Sequence, residues 1–174
     1  TPASAHKNQN LRKSRLVRKS QQVKRSKRIK YIWQIKYSAK PKGYLSMHTQ
    51  NETKDGKRLD HIAIAVENLE ESLVFYKENL GLTLLDIEVV EEQGVRVAKL
   101  CTGNTHIELL EPLSPETPVG KFLAKNGPGL HHICLGVKDI KADLDLLKKR
   151  NTRLINDEPR IGAGGAQIAF VHPK

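Results

Sequence analysis

Alternating apolar and small or polar positions give way to helical spacing in the middle of the chain. Segment 60–66 (DHIAIAV) alternates branched apolar residues with His61 and two alanines, the period-two pattern of a half-buried strand. Apolar residues then recur at helical spacing from Leu69 to Leu80, and Asn68 stands at the N-cap position. Because successive side chains on a strand point to opposite faces, we expect the branched residues to face a core. His61 is expected to have open space beside its small neighbours.

The same pattern returns at a constant offset of 71 residues. Segment 131–151 follows segment 60–81 in its apolar positions, and His132 stands where His61 stands. Self-similarity at a fixed offset indicates two copies of one supersecondary module. The second copy is therefore predicted to begin with a strand that has a small-residue face and to continue with a helix from Asp139.

Further strands complete each predicted module. The first copy contains three, at Thr83–Val89, Val95–Cys101 and Thr105–Glu111. The second copy contains only two, near Arg153–Asn156 and Gln167–His172, before the sequence ends. The pattern predicts an α+β fold of two βαβββ modules, at residues 59–113 and 129–174, of which the second lacks its last strand.

A glycine-rich segment, Ile161–Gly165, lies between the two predicted strands of the second copy. It lacks the helix start and the Lys-Ser/Thr pair of a phosphate-binding P-loop. We interpret it as a turn with positive φ angles.

The net charge of +11 is concentrated at the N-terminus. Residues 1–46 contain fourteen Lys and Arg and no Asp or Glu, whereas the remainder is mildly acidic. Like-charge blocks of this kind are typical of disorder, so residues 1–58 are predicted to be a disordered basic extension. Three interpretations of its role compete: no function, an organellar transit peptide and, least favoured, nucleic-acid binding. Met47 is a natural start for the compact domain, and a chain starting there is expected to keep its metal affinity and thermal midpoint.

Cysteine usage and hydropathy bear on the compartment. Cys101 and Cys134 lie in apolar runs without metal-binding spacing, so they are interpreted as buried thiols of a reducing compartment. No apolar run approaches the length of a transmembrane helix. These features favour a cytoplasmic protein without a membrane partner, or a mitochondrial one if the basic extension is a transit peptide.

Three residues of metal-ligand type fall on the small-residue faces of the predicted strands. His61 and His132 are equivalent in the repeat, and Glu108 lies on the last strand of the first copy. Imidazole and carboxylate together suit borderline divalent metals such as Co²⁺, Zn²⁺, Ni²⁺ or Mn²⁺. Taken singly, each has a structural interpretation, but two equivalent histidines favour a shared metal site. His106 and His172 are interpreted as structural residues or as supports for the ligands.

Several motifs, together with the repeat, resemble the methylmalonyl-CoA epimerase family of the vicinal-oxygen-chelate superfamily. The resemblance covers about residues 59–174. Its motifs are DHIAIAV, FYKENLGL, EEQGV, NTHIELLEPL, GPGLHHICLGV and EPRIGAGGAQIAFVHPK.

The resemblance implies a cupped sheet of paired βαβββ modules around a divalent metal, often Co²⁺, held by His61, Glu108 and His132. The family's fourth ligand is a Glu that would follow Lys174, so the chain is expected to lack it and to be a poor epimerase. An acid/base carboxylate of some members falls on Val97, and Glu91 and Glu92 are the remaining candidates for this role.

The implied reaction is the epimerisation of (R)- and (S)-methylmalonyl-CoA by metal-assisted proton abstraction at C2, in propionyl-CoA and methylmalonyl-CoA metabolism. The expected partners are an acyl-CoA substrate and a second copy of the chain in a homodimer. Two alternatives stay open: a glyoxalase I-like metal-dependent lyase, and a non-catalytic ligand-binding module of the same fold.

Overall fold

The computed structural model describes residues 32–37 and 56–172. These residues form an eight-stranded mixed sheet with three α-helices packed on it. The order of the strands across the sheet is β3-β4-β5-β2-β6-β1-β8-β7. The strands are β1 (Ile32–Tyr37), β2 (Arg58–Ala65), β3 (Thr83–Val90), β4 (Val95–Cys101), β5 (His106–Pro112), β6 (Gly129–Gly136), β7 (Arg160–Ile161) and β8 (Gln167–Val171).

The sheet consists of two halves that meet where β2 and β6 pair in antiparallel fashion. In the first half, β2 pairs in parallel with β5, which pairs in antiparallel fashion with β4. In the second half, β6 pairs in parallel with β1, which pairs in antiparallel fashion with β8. The two predicted modules are therefore present, and β1 lies where the second module was expected to lack a strand.

One prediction about the N-terminal part of the chain is corrected by β1. The prediction that residues 1–58 form a disordered extension is wrong for Ile32–Tyr37, which lies inside the sheet. The sheet edge that the missing strand would have left open is paired on β6 and on β8. The reason is that Ile35 is buried in the core and that the backbone N–H and C=O groups of the segment pair with both neighbouring strands. Residues 1–31, 38–55 and 173–174, including Met47, lie outside the described residues.

The connecting helices agree with the repeat, with one addition. Helix α1 (Leu69–Val74) continues into a π-helical turn (Phe75–Asn79), and helix α3 (Ile140–Lys149) is its counterpart. Asn68 caps the N-terminus of α1, as predicted, by accepting a backbone N–H group. Asp139, predicted as the start of its helix, caps α3 in the same way. Helix α2 (Pro118–Asn126) was not predicted, because its apolar spacing is short and begins with proline.

Both faces of β2 are covered, and this differs from the prediction. The branched residues Ile64 and Val66 pack towards α1 as expected. The small residues Ala63 and Ala65 are more deeply buried than the branched ones, because Val119 of α2 and residues of β4 cover them. His61 lies on the same face and is itself buried, so Ala63 and Ala65 do not leave the open space that was expected beside it.

The remaining elements of the second module are shorter than predicted. The strand expected at Arg153–Asn156 is reduced to an isolated bridge between Leu154 and Val171, and β7 lies at Arg160–Ile161 instead. The turn expected in the glycine-rich segment is confirmed by positive φ angles at Gly164 and Gly165. In the part of the chain described, no helix has both the length and the apolar character needed to cross a bilayer.

Candidate metal centre

The two histidines of the repeat meet at the centre of the sheet. Because β2 and β6 are neighbours with antiparallel register, His61 and His132 lie on the same face of adjacent strands. Their Nε2 atoms are 3.1 Å apart, and both residues are buried. Two nitrogen atoms that each lie about 2.0–2.2 Å from one ion are about 2.8–3.6 Å apart at N–metal–N angles of about 90–110°. The repeat therefore brings both imidazoles to the spacing that a shared ion requires.

Glu108 joins the pair from β5. The register of β2 and β5 places Glu108 opposite Ala63, and its Oε2 lies 3.3 Å from His61 Nε2. Its other oxygen, Oε1, is buried without a hydrogen-bond partner among the described residues. A buried carboxylate oxygen without a donor is costly unless a cation compensates it, so this orphaned atom fits a site built for a metal.

Asp60 holds the ring of His61. The Asp60 carboxylate accepts a hydrogen bond from His61 Nδ1 over 3.0 Å and forms an ion pair with Lys36 Nζ over 3.2 Å. Burial acts to raise the pKa of Asp60, but the hydrogen bond from His61 and the charge of Lys36 outweigh it, and the pKa is lowered. The Nδ1 atom of His61 thus faces Asp60, and its Nε2 atom faces Glu108 and His132. A carboxylate behind a metal-binding histidine is the usual support for such a ligand.

His132 has a comparable support in His131. The two Nδ1 atoms lie 2.8 Å apart, so one ring donates to the other. Burial lowers the pKa of His131 to about 4. Burial, followed by the effects of His61 and His131, also lowers the pKa of His132 well below its ordinary value. Both rings are therefore neutral near pH 7, which is the form in which imidazole binds a metal.

A second group of ligand-type residues lies on the other side of His61. Asp60, His61 and Cys134 have candidate ligand atoms within 4.8 Å of one another. Burial raises the pKa of the Cys134 thiol, which keeps it protonated, and Asp60 already pairs with Lys36. Asp60 and His61 of this group are therefore already engaged with each other and with Lys36, which leaves the Nε2 side of His61 as the candidate metal side.

His106 also lies near the site. The candidate ligand atoms of His61, His106 and Glu108 also lie within 4.8 Å of one another. The ring of His106 lies 6.1 Å from that of His61 between centroids, and the ring of His132 lies 5.3 Å from it. The equivalence of His61 and His132 in the repeat, with the 3.1 Å between their Nε2 atoms, favours His132 as the second imidazole of the site. His172 is not among the residues that line the pocket described next.

A small, open pocket leads to these side chains. Its polar residues include Gln34, Lys36, His61, Glu108 and His132. Its apolar walls and rim include Val90, Val95, Val97, Leu110 and Ile168. Glu91 and Glu92 are exposed in the 3₁₀ turn Glu91–Gln93, whose neighbours Val90 and Gln93 line the pocket. The two acid/base candidates therefore lie at the rim, and Val97 lies inside.

Four residues around the site were not identified from the sequence: Gln34, Lys36, Asp60 and His131. The signal for the first two was present, because Trp33, Ile35 and Tyr37 alternate with Gln34 and Lys36 in a period-two pattern. This strand pattern was not recognised because lysines and arginines dominate the surrounding sequence. Asp60 and His131 directly precede the two equivalent histidines, and their equivalence in the repeat was the available signal.

The donor set fits a divalent metal. It combines two imidazoles with a carboxylate, and it lacks thiolates. The Nε2 atom of His61 faces His132 Nε2 and Glu108 Oε2 across 3.1 and 3.3 Å. Where such atoms carry no proton, they repel one another unless a cation lies between them.

Known proteins show the same architecture. Residues 60–170 match the family model of the Glyoxalase/Bleomycin resistance protein/Dioxygenase superfamily. Mitochondrial methylmalonyl-CoA epimerases of Mus musculus and Homo sapiens are 42% and 44% identical over 118 residues. These matches span 67% of this chain and 66% and 67% of the relatives, about two thirds of their length.

A solved structure provides the third comparison. A methylmalonyl-CoA epimerase in complex with methylmalonyl-CoA and NH₄⁺ is 42% identical with a TM-score of 0.64, over 67% of this chain and 85% of that one. The match to the family model, the identity to these relatives and the shared fold all cover the region that contains His61, Glu108 and His132. The chain therefore belongs to the Glyoxalase/Bleomycin resistance protein/Dioxygenase superfamily and, within it, to the methylmalonyl-CoA epimerase family.

Proposed function

We propose that this protein interconverts (R)- and (S)-methylmalonyl-CoA by metal-assisted proton abstraction at C2, in propionyl-CoA and methylmalonyl-CoA metabolism. The observation that carries the proposal is the buried set of His61, His132 and Glu108, in which His61 Nε2 lies 3.1 Å from His132 Nε2 and 3.3 Å from Glu108 Oε2. The set lies at the base of an open pocket, in a chain that belongs to the epimerase family. Relatives of this family bind acyl-CoA compounds.

His61, His132 and Glu108 are the proposed metal ligands. Two nitrogens and a carboxylate oxygen suit a borderline ion, and we propose Co²⁺, with Zn²⁺, Ni²⁺ and Mn²⁺ as alternatives. When bound, the metal supplies Lewis-acid stabilisation of the negative charge that develops on the thioester oxygen as the C2 proton leaves.

Other residues of the chain prepare the site for this charge. Asp60 orients His61, and Lys36 keeps its charge, because the effects of Asp60 and Glu108 outweigh burial and raise its pKa. The walls at Val95, Val97 and Leu110 are apolar, which limits water around the reacting carbon. Moving a proton between opposite faces of C2 requires two carriers within reach of it. Glu91 and Glu92 are the proposed candidates, because their turn borders the pocket.

The proposed function is tested by deuterium exchange at C2 of methylmalonyl-CoA in D₂O, followed by mass spectrometry with the Co²⁺-loaded protein. We expect exchange well above the rate of the metal-free protein and of Co²⁺ alone. Exchange at the background rate in a metal-loaded protein would contradict the proposal. Turnover of a glutathione hemithioacetal would then favour the glyoxalase I-like lyase, and acyl-CoA binding without turnover would favour the binding module.

The replacement Asp60→Asn tests the support of the metal site. We expect metal affinity to fall by about 10–100-fold, the usual effect of removing the partner behind a metal-binding histidine. Isothermal titration with Co²⁺ measures it. The double variant Lys36→Met/Asp60→Asn is the control, because it also removes the lysine charge that the single change leaves buried and unpaired. Unchanged affinity in both variants would limit Asp60 to a structural role.

The homodimer also remains a proposal. Leu85, Ile87 and Val89 form an exposed apolar row on β3, which is an edge strand of the sheet. An exposed apolar row on a sheet edge favours association with a second copy.

A further inference from the structure

Gln34 on β1 occupies the position in the second half of the sheet that Glu108 occupies in the first. In the first half, His106 lies opposite His61 and Glu108 follows two residues later. In the second half, Ile32 lies opposite His132 and Gln34 follows two residues later. Since His61 and His132 are equivalent and both strand pairs are parallel, the register makes Gln34 the counterpart of Glu108.

The contacts of Gln34 repeat those of Glu108. Each side chain is 4% exposed, and both line the same pocket. Gln34 Oε1 lies 3.1 Å from His132 Nε2, as Glu108 Oε2 lies 3.3 Å from His61 Nε2. Each imidazole nitrogen of the proposed site thus has one oxygen beside it, supplied by the strand that pairs in parallel with its own.

The segment that carries Gln34 is held from three directions. Ile35 is buried on the opposite face of the sheet, against Val137, Ile140 and Leu144. The carbonyl of Lys36 accepts a hydrogen bond from Val137 N over 2.8 Å, and Lys36 Nζ pairs with Asp60. These contacts hold the backbone after Gln34, and the pairing of Trp33 with Ile133 and Val171 holds the backbone before it. The 3.1 Å contact with His132 Nε2 places the side-chain oxygen Oε1 at the site.

We propose that Ile32–Tyr37 completes the second module as its fourth strand and that Gln34 Oε1 is the fourth protein ligand of the metal site. The inference rests on the proposed function, because it requires the site formed by His61, His132 and Glu108. An amide oxygen is a neutral ligand, so Glu108 is the one anionic member of this ligand set. A divalent ion held there keeps a net charge of +1, which attracts an anionic substrate.

The test compares Gln34→Ala and Gln34→Glu in the full chain by titration with Co²⁺, followed by visible absorption. We expect Gln34→Ala to raise the Kd for Co²⁺ at least about tenfold, by analogy with the loss of groups that support a metal site, and to change the cobalt spectrum as the ligand set changes. Gln34→Glu should retain the affinity or increase it, because a carboxylate oxygen takes the place of the amide oxygen. Gln167→Ala is the matched control, since Gln167 is exposed on the adjacent strand β8, and it should leave Kd and spectrum unchanged.

Two further measurements separate the ways in which the proposal can fail. In one outcome, Gln34→Ala and Gln34→Glu both lose affinity for Co²⁺, and both metal-free variants unfold at a lower temperature. That result would assign Gln34 to packing and overturn the ligand role. His61→Ala is the reference for the metal site itself. If His61→Ala loses Co²⁺ and Gln34→Ala does not, this inference is wrong and the proposed function stands. If neither variant loses Co²⁺, the metal site and the proposed function are wrong together.

Discussion

Replacing His132 with alanine should lower C2 deuterium exchange of methylmalonyl-CoA by at least about 10³-fold. The change removes an imidazole nitrogen that lies 3.1 Å from His61 Nε2, and with it a proposed metal ligand. Lewis-acid stabilisation of a developing oxyanion contributes several kcal/mol, and each 1.36 kcal/mol corresponds to about a tenfold rate. Exchange rates measured at one total Co²⁺ concentration, together with the metal content of the purified variant, check this result.

His172→Ala is the matched control for His132→Ala. It makes the same chemical change in the same module, at a residue that does not line the pocket, and exchange should stay near the starting value. Far-ultraviolet circular dichroism of both variants shows whether the fold is retained. A folded His132→Ala protein with undiminished exchange and full metal content would contradict the site as we describe it.

A chain that begins at Met47 should unfold at a temperature more than about 10 °C below that of the full chain. The deletion removes β1, which contributes the buried residues Gln34, Ile35 and Lys36 and pairs with both β6 and β8. Losing a buried side chain the size of Ile35 costs about 2–5 kcal/mol by itself. In a domain of this size, 1 kcal/mol changes the midpoint by about 2–8 °C. The sequence alone led to the opposite expectation, that a chain starting at Met47 keeps its thermal midpoint.

The control for the Met47 chain is a protein from which only residues 1–30 are removed. Tyr31–Lys174 forms a compact unit by its contacts, so this shorter deletion keeps β1 and should keep the thermal midpoint. Calorimetry of the three proteins in the absence of metal separates packing from ligand effects. Equal midpoints for the full chain and the Met47 chain would show that β1 contributes nothing to stability and would restore the original interpretation of a dispensable extension.

Much of the metal centre could be predicted because the repeat carries local information. A period-two pattern with one histidine among small residues predicts both the strand and the side of it on which the imidazole lies. Finding the pattern twice makes His61 and His132 equivalent, and the strand that carries Glu108 shows its own alternation. The support residues Asp60 and His131 precede the two histidines in the sequence. Their hydrogen bonds to the histidine rings depend on rotamers, which spacing alone does not specify.

From the sequence alone came the repeat, the two βαβββ modules, the cap at Asn68, the helix start at Asp139 and the small-residue faces that carry the two histidines. Each of these depends on residues close together in the chain or on comparison of two copies. The tertiary structure decided the position of β1, the burial of Gln34 and Lys36, and the covering of Ala63 and Ala65 by α2. Strand pairing joins segments that are distant in sequence. The free energy gained by adding a strand depends on which edge of the sheet has unpaired backbone groups. The six-residue strand β1 lies in a strongly basic segment, so its position in the sheet could be assigned only from its pairing with β6 and β8.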